Sequence, residues 1–158
     1  MENGHPYKLS IAATNAMTAY SYSLSYLYKT NLKEPWLLGM LIKRAVPGLK
    51  KSYTCWLGWL THYAAGAVWA MIVSRLLRAG VLKPSARHAL TLGICSGIVS
   101  VIAWHTVLRL NPRPPEINRK LFYRQLVTAH IIYMSTFMAY YRHLESYRET
   151  EPAEYKIA

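Results

Sequence analysis

This chain of 158 residues contains no aspartate, and its acidic residues are 7 glutamates set against 19 lysines and arginines. Charged residues make up 16% of the sequence, compared with roughly a quarter in an average globular domain. Scarce charge combined with 53% apolar residues excludes a disordered chain. The 2 cysteines are too few for a miniprotein held by disulfides or a zinc module with several cysteine ligands. The absence of aspartate also excludes a Ser-His-Asp catalytic triad, although a glutamate could take the place of the aspartate.

The basic residues, in contrast, give a formal net charge of +12, which makes nucleic-acid binding a hypothesis to test. The cations are clustered between long uncharged segments rather than distributed along a helix face. Residues 53–74 and 89–108 contain no charged side chain other than histidine, which can take up a proton. About 20 apolar residues allow a helix to cross the hydrocarbon layer, and cations gather at the ends of such helices. The pattern predicts a polytopic membrane protein with no nucleic-acid partner.

Two further segments, 9–28 and 121–141, have the length of a membrane span but are more polar. The first is rich in serine and threonine, and the second carries Arg124 near its start. Such hydroxyls can hydrogen-bond to neighbouring helices in lipid, and an arginine near a helix end can extend to the headgroups. The sequence therefore predicts an all-α fold, a four-transmembrane-helix bundle that forms a single integral membrane domain, with a solvated tail over 142–158.

Three basic loops connect these helices, and their cations are expected to contact anionic lipid headgroups. Loop 1, residues 29–52, contains the apolar stretch 35–42, which begins with proline and predicts a short interfacial helix. The positive-inside rule favours the cytoplasm for loop 1 and for loop 3, residues 109–120. The N-terminal segment lacks the pattern of a cleaved signal peptide. The predicted headgroup contacts are Lys43, Arg44, Lys50, Lys51, Arg119 and Lys120.

Three histidines lie within the predicted spans: His62, His105 and His130. Ionisable side chains are costly inside a membrane, so each histidine is a candidate functional residue. At a rise of about 1.5 Å per residue, all three fall in the membrane half next to loops 1 and 3. Neutral imidazole ligates iron, copper or zinc, and the three residues are therefore candidate ligands of haem, a metal ion or a quinone headgroup. The simpler alternative, which the sequence favours, is that each histidine hydrogen-bonds between helices.

Small residues on the predicted spans indicate close helix packing. His62 shares one helix face with residues four and eight positions later, and two glycines on the next span form a GxxxG step. The predicted packing residues are Gly66, Ala70, Gly93 and Gly97. Cys55 and Cys95 are predicted in opposite halves of the membrane and are not expected to pair.

The order of Thr61-His62, His105, the segment Asn111-Pro112-Arg113-Pro114-Pro115 and His130 resembles the YagU-like family. Members of this family are small bacterial inner-membrane proteins with similarly placed histidines and a Pro-Pro turn. The resemblance covers roughly residues 57–142, and Ala129 stands where a glycine is expected. It implies a helical membrane protein of the bacterial inner membrane and brings no activity with it.

The sequence contains no nucleophile elbow and no phosphate-binding loop, and no catalytic residue is predicted. It predicts a non-catalytic accessory or stabilising subunit that acts through helix contacts with other membrane-protein subunits or with a second copy of itself. Two alternatives stay open. The first is a histidine cluster that binds haem, a metal ion or a quinone, and it requires the three imidazoles to converge. The second is a small transporter or channel, which requires a polar path that the apolar segments disfavour.

Overall fold

The computed structural model describes residues 5–150, with the side chains of residues 6–146, and these residues form five α-helices and no strand. The helices are α1 (His5–Leu27), α2 (Glu34–Ala45), α3 (Lys51–Arg78), α4 (Ala86–Leu110) and α5 (Arg119–Thr150). The predicted all-α fold is confirmed. The four predicted spans lie on α1, α3, α4 and α5. Helix α5 continues to Thr150, so part of the predicted solvated tail is helical, and residues 151–158 lie outside the described residues.

Two of the helices, α3 and α4, are long and apolar enough to cross a membrane. Helices α1 and α5 do not meet that criterion, so the predicted bundle of four spans is supported for two helices. Only 33% of the most apolar window of α3 and 17% of that of α4 are buried, whereas a core helix of a soluble protein would be mostly buried. The exposed apolar side chains of α4 include Leu90, Ile94, Ile98, Val99, Ile102 and Val107. Apolar surface of this extent indicates contact with lipid or with another protein.

Helix α1 packs between α3 and α5 and contacts both of them. Helix α4 packs on α5 and α2 packs on α3, whereas α3 and α4 make almost no contact with each other. The guanidinium group of Arg44 donates to the carbonyl of Arg113, so the segments 46–50 and 111–118 lie at the same end of the bundle. We call this end, which carries the predicted headgroup cations, the basic end. The packing leaves a gap between α3 and α4 within the bundle.

The polar face of α1 is buried inside the bundle. Its hydroxyl residues recur every three or four positions, and the packing places them against α3 and α5. The buried hydroxyl residues of α1 are Ser10, Thr14, Thr18, Ser21 and Ser25. Apolar side chains next to this stripe, such as Leu9 and Met17, join Phe137 of α5 in the main core. The polarity that makes α1 a poor lipid-facing helix is therefore used in contacts within the chain.

The two glycines of the GxxxG step allow α4 to approach α5 closely. A Cβ atom added at Gly93 would lie 2.6 Å from the Cα of Ile131, and one added at Gly97 would lie 2.7 Å from the Cα of Val127. The nearest atoms belong to the backbone of α5, which cannot rotate away as a flexible side chain can. The step therefore serves packing within the chain rather than contact with a second protein.

Helix α2 is the short helix that the sequence predicts within loop 1. It packs along the first half of α3, where Gly58 faces Pro35 and Gly39 of α2 with no room for a Cβ atom. Gly58 is seven residues after Lys51, which is roughly 10 Å along α3. The predicted helix therefore exists, and its position at the membrane interface stays a prediction. Three residues of its first turn, Glu34, Pro35 and Leu37, are buried in the bundle because glycines allow the two helices to meet.

Candidate functional site

A cavity of about 190 Å³ lies in the gap between α3 and α4, and residues from all five helices form its wall. Most of the wall is apolar, formed by side chains such as Met17, Leu38 and Leu126 together with two tryptophans. The polar residues of the wall are Glu34, Thr61, His62, Ser100, His130 and Tyr133. We call this space the central cavity. It brings together a carboxyl group and two imidazoles that lie far apart in the sequence.

His62 is buried on α3, on the same face as Gly66. Its Nε2 atom lies 2.9 Å from the hydroxyl of Thr18 on α1, and one of these two atoms donates to the other. The side chain of Trp59 meets the imidazole edge to face, with ring centroids 6.4 Å apart. The second ring nitrogen, Nδ1, has no hydrogen-bond partner among the residues whose side chains are described. His62 is thus held in place through one nitrogen and has the other available.

His130 is held through both ring nitrogens. Its Nδ1 atom lies 2.9 Å from the carbonyl of Leu126, and because a carbonyl only accepts, Nδ1 carries the proton and donates. In the neutral ring, Nε2 then accepts from the hydroxyl of Ser100 at 2.7 Å. The second bond joins α5 to α4. A metal ion could bind His130 only after one of these hydrogen bonds breaks.

Glu34 begins α2 and is only 2% exposed. Its Oε1 atom accepts from the hydroxyl of Ser21 at 3.0 Å and from the side-chain amide of Gln125. Its Oε2 atom is buried without a hydrogen-bond partner, and so is the Oε1 atom of Gln125. Burial raises the pKa of Glu34 to about 7, against the opposing effect of the hydrogen bonds from Gln125 and Ser21. Near neutral pH the protonated carboxyl can therefore donate a hydrogen bond.

Glu34 is not among the site residues that the sequence predicts, because it lies in the predicted loop 1 rather than in a predicted span. One signal was present: Glu34 is the only acidic residue between Glu2 and Glu116, and it directly precedes the apolar stretch that begins at Pro35. A lone carboxylate at the start of an apolar helix in a strongly basic chain has to be exposed, paired or buried as an acid. The structure shows the burial.

His105 does not join the other two histidines, so the three imidazoles do not converge. It is exposed, and its Nδ1 atom lies 3.3 Å from the hydroxyl of Tyr123. Ser100, five residues earlier on α4, faces the cavity, and five residues turn a helix by a net angle of roughly 140°. The sequence predicts how far His105 lies along α4, but not which direction it faces around the helix axis. In the structure it faces away from the central cavity. Among the residues with described side chains, no three His, Cys, Asp or Glu residues lie close enough to hold a metal ion.

The predicted headgroup cations lie near the basic end of the bundle, and most of them are exposed. Lys43 is half-buried and donates to the carbonyl of Pro47 at 2.6 Å and to that of Leu49. The other predicted cations are Arg44, Lys50, Lys51, Arg119 and Lys120. Cys55 and Cys95 are both free and exposed.

No protein-family model matches the chain, and neither a curated protein nor a solved structure does. The resemblance to the YagU-like family therefore stays a prediction, and the central cavity is the feature that indicates a function.

Proposed function

We propose that this protein is an integral membrane helix bundle that binds the carbonyl-bearing ring of a quinone in the central cavity. One observation carries the proposal: His62, His130 and Glu34, from three different helices, line one small cavity. Sites for small molecules are mostly apolar and carry a few convergent polar groups, as this cavity does.

The size of the cavity suits a single ring. A cavity of about 150 Å³ holds benzene, and sites for drug-sized molecules have about 300–1,000 Å³. At about 190 Å³, the central cavity accommodates one six-membered ring with oxygen substituents, and a haem macrocycle is too large for it.

The polar groups of the wall suit a ligand that only accepts hydrogen bonds, as quinone oxygens do. The free Nδ1 atom of His62 can carry a proton, and Glu34, which lines the same wall, adds a carboxyl group that is a donor when it is protonated. A donor in an apolar site gains more from a carbonyl partner than it would in water. A metal ion is a weaker candidate, because both nitrogens of His130 are already hydrogen-bonded.

The gap between α3 and α4 gives the cavity a route to the lipid. Three wall residues, Thr61 and Ala65 on α3 and Ala103 on α4, are exposed at the outer surface. A ring can reach the cavity between these small side chains while an isoprenoid tail stays in the bilayer. This route favours a ligand dissolved in the membrane over one dissolved in water.

The proposed setting has α1 and α5 crossing the membrane together with α3 and α4. Helix α1 has 23 residues, a length of roughly 34 Å, and it runs beside α3 with its polar face covered. The bacterial inner membrane and a cytoplasmic location for loops 1 and 3 stay predictions from the sequence. The accessory-subunit function also stays a prediction. An exposed polar face on α1 would have supported it by requiring a partner, but α3 and α5 of the same chain cover that face.

Titration of the purified protein in nanodiscs with a short-chain ubiquinone analogue tests the proposal. Quinones quench tryptophan fluorescence, and Trp69 and Trp104 line the cavity. We expect saturable quenching that becomes roughly tenfold weaker in affinity for His62→Gln, because the loss of one hydrogen bond in an apolar site is worth about 1.4 kcal/mol.

The matched control is His105→Gln, which changes a histidine on α4 that lies outside the cavity. This variant must bind the analogue as the wild type does. Quenching that never saturates, or the same loss of affinity in both variants, would refute the proposal. Far-UV circular dichroism of each variant confirms that the helices are retained.

A further inference from the structure

A second feature, separate from the central cavity, is a groove of about 300 Å³ between α2 and the first turns of α3. Its apolar wall includes Trp36, Met40 and Cys55, and its cations are Lys43, Arg44 and Lys51. The close contact of Gly39 with the backbone of Thr54 draws the two helices together. The larger side chains on either side of this contact then form the walls of the groove.

The charge of the groove is not balanced by any acidic residue in its lining. Lys43 donates to the carbonyls of Pro47 and Leu49, and Arg44 donates to the carbonyl of Arg113, so both cations have neutral partners. Lys51 is exposed at the first turn of α3. No side chain caps the N-terminus of that helix, and the backbone N–H groups of its first turn favour an anion there. Three cations therefore lie next to an uncapped helix N-terminus.

We infer that this groove binds one anionic phospholipid, with the phosphate between Lys43, Arg44 and Lys51 and an acyl chain along Trp36, Met40 and Cys55. The arrangement favours a lipid over free phosphate, because the apolar wall continues from the cations along the two helices and would stay uncovered by an inorganic ion. Basic pockets between membrane helices bind acidic lipid headgroups in this way. This lipid site is independent of the proposed quinone site. It differs from the diffuse attraction of basic loops to an anionic membrane because one lipid occupies one defined groove.

A cysteine that lines the groove provides the experiment. Cys55 lines the groove, and a cysteine introduced by Gly48→Cys, at an exposed position at the same end of the bundle but outside the groove lining, serves as a control within the same molecule. Cys95 lies within α4, which is proposed to cross the membrane, and is replaced by serine. The rate of modification by N-ethylmaleimide is measured for each cysteine by mass spectrometry in nanodiscs of phosphatidylcholine, with and without phosphatidylglycerol. We expect the anionic lipid to slow modification of Cys55 several-fold and to leave the introduced cysteine unchanged. Equal slowing at both cysteines, or no slowing at Cys55, overturns the inference.

Matched charge variants separate a discrete site from diffuse attraction. Lys43→Gln/Lys51→Gln must abolish the protection of Cys55, and Arg119→Gln/Lys120→Gln, which removes the same charge at the basic end but outside the groove, must keep it. Loss of protection in both double variants would show diffuse attraction and overturn the inference.

Lys43 also donates hydrogen bonds to the segment 46–50, so its substitution could disturb that segment as well as the groove. Lys51→Gln alone must therefore also weaken the protection of Cys55, and full protection in this single variant overturns the inference. Inorganic phosphate added to phosphatidylcholine nanodiscs must leave Cys55 unprotected. Protection by phosphate alone would assign the groove to a free anion.

Discussion

A methyl group at Gly97 is expected to destabilise the protein, although alanine is the better helix former. In an uncrowded helix, glycine to alanine stabilises by roughly 1 kcal/mol. At Gly97 the new Cβ atom would lie 2.7 Å from the Cα of Val127, and carbon atoms pack best at about 3.5–4.0 Å. Helix α4 must therefore move away from α5 by about 1 Å. Because such overpacking costs about 1–3 kcal/mol and the partner is backbone, we expect Gly97→Ala to be less stable by about 1–2 kcal/mol.

The assay is unfolding of the purified protein in mixed micelles of dodecylmaltoside and sodium dodecyl sulfate, followed by far-UV circular dichroism. Gly48→Ala is the control, because nothing lies within 4 Å of a Cβ atom added there. The sign of the effect decides the outcome: Gly97→Ala as stable as the wild type, or more stable, would refute the close approach of the two helices. Gly93→Ala/Gly97→Ala should cost less than the sum of the single variants, since both methyl groups separate the same pair of helices.

Three further changes have expected outcomes in the same unfolding assay. Burial raises the pKa of Glu34 from 4.5 to about 7, so between these pH values the folded state retains a proton that the unfolded chain releases. The free energy of unfolding therefore falls by up to about 3 kcal/mol as the pH rises from 4.5 to 7, and it does not change further above pH 7. Glu34→Gln should lack this fall, and an identical pH profile in the variant would contradict the assignment. Tyr133→Phe removes a 2.6 Å hydrogen bond to the carbonyl of Gly66 and should cost about 1 kcal/mol, whereas an unchanged midpoint would show the bond to be dispensable. Ser85→Ala removes the N-cap of α4 and should also lower the free energy of unfolding by about 1 kcal/mol. Thr91→Ala, at an exposed position of the same helix, should change it little, and equal effects of the two variants would contradict the capping interaction.

The helices were predictable because their signals are local. The uncharged segments bounded by cations predict α3 and α4, and the proline at position 35 predicts the first residue of α2 to within one position. The GxxxG step identified a close contact, but it did not identify α5 as the helix in contact. Which surfaces meet depends on residues far apart in the chain, and a single sequence does not contain that information.

The candidate site was predictable only in part, for the same reason. Depth along the spans placed His62 and His130 at similar levels, and both line the cavity. Depth could not place His105, because rotation about the axis of α4 turns it away from Ser100. Glu34 reaches the cavity because α2 packs on α3 through Gly58, which contacts Pro35 and Gly39 at positions 23 and 19 residues earlier. No local pattern signals this contact.

The burial of the hydroxyl stripe of α1 has a consequence for how the chain is made. Helix α1 leaves the ribosome before the two helices that cover it, and α5 ends 123 residues after Leu27. At about 5–20 residues per second, that interval lasts roughly 6–25 s. Until α3 is complete, 51 residues after Leu27, the serines and threonines of α1 have neither of their final neighbours, and from then until α5 is complete they lack one of the two. The polar face of the helix that is synthesised first is therefore fully covered only when the last helix is complete.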